Sequence, residues 1–82
     1  MRQKEIDFIV AFVGGLKKRG RNLDGEVVIT TRTLMASIRN FYSYKTEKSV
    51  IETVDLFIKL GMFLPCGFNL KLTDLAKKMG RG

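Results

Sequence analysis

The sequence predicts a mainly helical α+β domain, with helices carrying most of the chain and one small β-hairpin near its C-terminal end. Three observations predict it. Apolar residues recur at helical spacing over 6–16 and again over 50–58. A Pro65-Cys66-Gly67 turn is followed by Phe68-Asn69-Leu70-Lys71-Leu72, which alternates as a half-buried strand does. Threonines and glycines stand where helices start and stop. At 82 residues there is room for one domain, 1–82.

The first helix is expected over about 2–18. Ile6, Ile9, Val10, Val13 and Leu16 share one face, and Phe8 and Phe12 widen it. Gly14-Gly15 weakens the helix near its end. Residues 17–25 form a basic loop in which Gly20 and Gly25 supply turns. Glu26-Val27-Val28-Ile29-Thr30 is short and β-branched and reads as a strand over 26–30. Thr30 or Thr31 then caps a second helix, about 32–40, in which Leu34, Met35 and Ile38 point one way and Arg32 and Arg39 the other.

A third helix is expected over about 46–60. Thr46 or Ser43 caps it and Glu47 suits its positive end. Val50, Ile51, Val54, Phe57 and Ile58 form its inner face. Lys48/Glu52 and Asp55/Lys59 are spaced as ion pairs on the outer face, and Gly61 ends it in the left-handed conformation. The hairpin spans 62–72. Thr73 caps a last helix, about 74–79, and 80–82 should fray.

Composition narrows the chemistry. Fifteen Lys and Arg against eight Asp and Glu give a net charge of +7, which favours an anionic partner. No histidine is present and Cys66 is alone, so His-based acid–base chemistry, an internal disulfide and a Cys/His metal site are excluded. No apolar run approaches the roughly 18 residues of a membrane span, and signal-peptide grammar is missing. The expectation is a cytoplasmic binding protein, not an enzyme, with no cofactor, no metal and no evident small-molecule ligand.

From the third helix onward the chain reads Thr53-Val54-Asp55-Leu56-Phe57-Ile58-Lys59-Leu60-Gly61-Met62-Phe63, then Asn69-Leu70-Lys71-Leu72-Thr73-Asp74-Leu75. This resembles the winged helix-turn-helix family of DNA-binding proteins: it looks like that family's recognition helix ending in Leu-Gly, a wing strand, and the Leu-Thr pair that opens the next helix. The resemblance covers Val27 to Met79. It implies a small dimeric transcriptional regulator, of a type frequent in archaeal viruses, plasmids and prokaryotes. The recognition helix would enter the major groove of double-stranded DNA and the wing would follow the backbone.

The DNA-facing residues implied are Lys45, Thr46, Lys48, Ser49 and Glu52 on the third helix, with Tyr44 before it. Arg32 and Arg39 would clamp the backbone and Lys71 would act from the wing. Each also has a plainer reading. The third helix carries three bases and three acids over 45–59, as a solvated face does. Tyr42 and Tyr44 serve equally well as packing in the turn. Lys17, Lys18, Arg19 and Arg21 form the densest basic cluster, either a backbone patch or a solubilising loop. Phe8, Phe12 and Leu16, joined by Leu75 and Met79, form either a homodimer contact or a thick core. Two rivals remain: a winged-helix module that binds protein instead of DNA, and a ribbon-helix-helix DNA binder with its strand at 27–31.

Overall fold

Threonine hydroxyls start three of the four helices among the described residues. The structure, a computed structural model, describes residues 1–81. Helix α1 spans Gln3–Lys18, strand β1 Val28–Thr30, helix α2 Thr31–Tyr42 and helix α3 Glu47–Lys59. Strands β2 (Phe63–Cys66) and β3 (Asn69–Leu72) follow, then helix α4 (Asp74–Arg81). Thr30 Oγ1 accepts from the Thr33 N–H (3.1 Å), Thr46 Oγ1 from the Ser49 N–H (3.3 Å), and Thr73 Oγ1 from the Ala76 N–H (3.2 Å). Each satisfies one donor that a helix start leaves unpaired. At α1 the Arg2 N–H instead donates to the Glu5 carboxylate (3.1 Å).

Helix ends follow the same accounting. Gly61 adopts φ 81°, and its N–H donates to the Ile58 carbonyl while Met62 N–H donates to Phe57 (both 3.0 Å). That is the left-handed glycine stop expected after α3. Ser43 ends α2 in the left-handed region without being glycine (φ 57°). Helix α2 therefore runs past the expected Asn40. Phe41 and Tyr42 hold it helical by packing on Phe8, at ring distances of 5.4 and 6.0 Å.

The sheet is antiparallel, in the order β1-β3-β2. Ile29 faces Leu70 across one ladder and Phe63 faces Leu72 across the other. All four are buried, so one face of the sheet closes the core. The tight turn is Gly67-Phe68, not Pro65-Cys66-Gly67, and Pro65 and Cys66 belong to β2. Gly67 has φ 64° while Phe68 does not have positive φ, the pattern of a glycine-first hairpin turn. Strand β1 is shorter than expected, because Glu26 and Val27 precede it.

The core is aromatic at its centre. Phe8 meets Phe57 at 5.1 Å and Phe12 at 5.6 Å, and Phe12 meets Phe63 edge-on at 5.8 Å. Leu34, Ile38, Val50, Met62 and Ala76 complete it. Phe8, Phe12 and Leu16 are thus interior, and the thick-core alternative replaces a helix 1 contact built on them. Helix α1 turns these phenylalanines inward and leaves Val10 exposed, a rotation of the expected face. On α3, Ile51 is exposed and Thr53 takes an inner position. Helix α4 continues through Gly80 and Arg81, beyond the expected Met79. No helix of the described residues is long and apolar enough to cross a membrane.

Candidate nucleic-acid interface

Four residues, 43–46, separate α2 from α3. The Tyr42 and Tyr44 rings stack in this corner at 5.1 Å and only 4° from parallel. Tyr44 Oη shares a hydrogen bond with Thr53 Oγ1 (3.0 Å), and Thr53 donates to the Ser49 carbonyl (2.9 Å). Tyr44 is therefore a packing residue of the corner. The Tyr42 hydroxyl is enclosed and has no hydrogen-bond partner among the described residues. Burial pushes its pKa up to about 12, helped by the charges of Glu5 and Tyr44 and opposed by Arg2. The Lys4 ammonium lies 5.3 Å from the centre of the Tyr42 ring.

Of the expected DNA-facing residues on and before α3, Lys45, Lys48 and Glu52 are exposed. Thr46 and Ser49 are engaged in the cap, where the Thr46 hydroxyl donates to Ser49 Oγ (2.9 Å). Lys59 pairs with Asp55 at 2.8 Å as expected. The companion pair of Lys48 with Glu52 does not form among the described residues. Both Lys48 and Glu52 thus point into solvent uncommitted. The exposed face of α3 also carries Ile51, at 53% exposure.

Arg32 and Arg39 line an open cleft of about 390 Å³ with Met35, Ala36 and Glu47. The outer face of α2 and the first residue of α3 thus share one hollow. Neither arginine makes an ion pair among the described residues.

The hairpin departs most from expectation. Lys71 is half-buried and pairs with Glu26 at 3.5 Å, so it turns toward β1 instead of standing free on a wing. Phe68, which the alternating pattern places in a strand, is 98% exposed at the tip. The Thr31 hydroxyl donates to the Phe68 carbonyl (2.7 Å), tying that tip to the first residue of α2. A glycine followed by any residue between two short apolar runs is the sequence signal that would have marked Phe68 as a turn residue.

Lys17 and Lys18, in the last turn of α1, and Arg19, its C-cap, are exposed. Arg21 reaches back to β1, donating from Nη2 to the Val28 carbonyl (3.3 Å). In α4, Leu75 is exposed and Met79 is half-buried against the core. With Phe8, Phe12 and Leu16 interior, these five do not form one outward patch. Among the described residues, no cluster of three Cys, Asp or Glu side chains could hold a metal ion.

Comparison with protein-family models, with curated proteins and with solved structures returned no match.

Proposed function

We propose that this chain is a winged helix-turn-helix domain that binds double-stranded DNA. The observation that carries the reading is the element order combined with the strand order. A helix, a strand, two helices joined by a short corner, and a hairpin follow in sequence, and β1 pairs with β3 to extend the hairpin into a three-stranded sheet. Helix α3 is held on its inner side by Val50, Thr53 and Phe57 and leaves its outer side, with Lys48 and Glu52, in solvent. A helix presented this way fits the major groove, while cations beside it replace counterions on the phosphates.

Arg32, Arg39, Lys45 and Lys48 are the cations placed for this role. Phosphate contact by Arg32 and Arg39 positions the domain, and the first half of α3 reads base edges. Lys71 is removed from the set by its pairing with Glu26. A regulatory role in transcription follows from occupancy of a promoter. A homodimer, also implied by the resemblance, would rest on residues such as Val10 and Leu75. Sedimentation at twice 9.3 kDa supports it and a monomer at high concentration excludes it.

Salt titration of duplex binding tests the central claim. About five phosphate contacts give a slope of log K against log salt of about −4 to −5. Absence of duplex binding at low salt removes the claim. A protein-binding role for the same fold is then favoured by one observation: exposed Ile51 stands among Glu47, Lys48 and Glu52, a mixed surface of the kind proteins recognise. The ribbon-helix-helix alternative loses its support, because β1 is already paired within its own chain.

A further inference from the structure

An antiparallel sheet with one face on the core ordinarily turns polar residues to water on the other. Here the buried face is Ile29, Phe63, Leu70 and Leu72, so alternation sends Val28, Leu64 and Cys66 outward with Thr30, Asn69 and Lys71. The ladders set these in two rows across the strands, Val28–Lys71–Leu64 and Thr30–Asn69–Cys66. Five of the six are exposed and Lys71 is half-buried, so no helix of the described residues covers this face. Pro65, beside Leu64, is exposed as well, and Phe68 stands at the tip of the same hairpin. The aliphatic stem of Lys71 lies between Val28 and Leu64 and makes the first row apolar from edge to edge.

Charge says what fits this face. The chain carries +7, so most of its surface repels a second copy. Residues 60–70 carry no charge, the longest such run in the sequence. Lys71 is the one charged residue of the three strands, and Glu26 meets it at 3.5 Å. The face is therefore close to neutral, and its two charges are of opposite sign. Two copies related by a two-fold axis would turn Lys71 of each toward Glu26 of the other. An acidic partner, which the net charge otherwise favours, gains nothing from a neutral surface.

The area agrees. Phe68 and Leu64, at 98% and 55% exposure, leave roughly 300 Å² in water. Doubled by symmetry and extended by Val28, Pro65 and Cys66, the contact reaches about 1,000 Å², the lower bound of a specific interface. Growth of the sheet at its edges is not the route. Arg21 already occupies the Val28 carbonyl on β1, and Pro65 removes a donor from β2.

We propose that the outer face of the sheet, with the hairpin tip, is a homodimer contact centred on Leu64 and Phe68. The inference rests on the homodimer reading, stands apart from DNA binding, and moves the contact from Val10 and Leu75 to the sheet.

Sedimentation of the full chain across concentration tests it. The expected wild-type mass is about twice 9.3 kDa at high concentration. Leu64→Asp and Phe68→Asp should each raise the dissociation constant about tenfold or more, and Val10→Asp should not. Because the contact is neutral between two cationic copies, dimerisation should tighten as salt rises, the opposite of duplex binding. All three replaced side chains are exposed, and thermal melts check that each variant folds. Phe68→Asp, at the tip, decides the matter if Leu64→Asp melts early. Exposed Cys66 is a reporter on the same face: a short bismaleimide should join two wild-type chains and fail to join Phe68→Asp chains. A wild-type monomer at high concentration overturns this inference together with the homodimer. A dimer that Phe68→Asp leaves intact, or that added salt dissociates, overturns the sheet contact and leaves a homodimer formed elsewhere. Neither result bears on duplex binding, which the salt titration decides.

Discussion

Gly80, in the last turn of α4, rests directly on the side chain of Val13 in α1. A Cβ added at Gly80 would overlap the Val13 Cβ and both of its methyl groups. The close approach of these helices thus depends on glycine, although glycine in a helix ordinarily costs stability. Gly80→Ala should destabilise the domain by about 1–2 kcal/mol through overpacking, lowering Tm by several degrees. Gly14→Ala is the matched contrast, because a Cβ there meets nothing within 4 Å. It should stabilise by about 0.5–1 kcal/mol. Thermal melts of the two variants check this, and a Gly80→Ala variant as stable as wild type would mean α4 is not seated on α1.

Lys77 is the one buried lysine among the described residues, at 8% exposure. Its ammonium donates to the Gly25 carbonyl (2.6 Å) and lies 3.8 Å from Asp74, whose side chain is almost fully exposed. The carbonyl bond ties α4 to the loop before β1. Lys77→Met keeps the aliphatic stem and removes the donor, and should cost about 1–3 kcal/mol in urea unfolding. Lys78→Ala, on the exposed side of the same helix, should change stability by less than about 0.5 kcal/mol.

The helices and the hairpin were legible because each is announced locally. Thr46 with Glu47, Gly61 after Leu60, and Thr73 before Asp74 act within one turn of chain. The choice of inward face was less legible. Helix α1 has more apolar residues than one face holds, and the sequence does not say whether Phe8 or Val10 meets Phe57. That depends on what α2 and α3 present. The same limit hid Lys77 and Gly80, whose partners lie far along the chain at Gly25 and Val13. Of the candidate interface cations, Arg32 and Arg39 are marked by their seven-residue spacing on α2, whereas Lys45 and Lys48 are implied by the winged helix-turn-helix resemblance. Phe68 was missed because strand alternation and turn geometry compete at that position, and the turn won.

The Tyr42 hydroxyl is enclosed without a partner among the described residues, and its pKa is raised to about 12 chiefly by burial. The unfolded chain would release this proton near pH 10. Between about pH 10 and pH 12 the folded state therefore holds more protons than the unfolded state, and stability falls as pH rises through that window. The contribution is complete below pH 10. Phenolate absorbance should show a late step near pH 12 that Tyr42→Phe abolishes. Because the hydroxyl gives up no bond, the same substitution should be neutral or stabilising at neutral pH and should flatten the alkaline decline. A destabilised Tyr42→Phe would reveal a partner for the hydroxyl.

Duplex binding should be most sensitive to the uncommitted cations beside α3. Lys45 and Lys48 are exposed and make no ion pair among the described residues, and Arg32 lines the cleft between α2 and α3. Each of Lys45→Ala, Lys48→Ala and Arg32→Ala should weaken binding and reduce the salt slope by about 1 if its side chain meets a phosphate. Lys78→Ala removes the same charge from a different element and should leave the slope unchanged, whereas Lys77 is unsuitable as a control because its loss perturbs the fold. Lys48 has a second test. Glu52 lies one turn away, so Glu52→Gln should strengthen binding by relieving repulsion from the backbone. Lys48→Ala should then relax sequence preference if Lys48 touches a base edge, and weaken all sequences alike if it touches phosphate. Equal losses for Lys48→Ala and Lys78→Ala would place the DNA on another face of the domain.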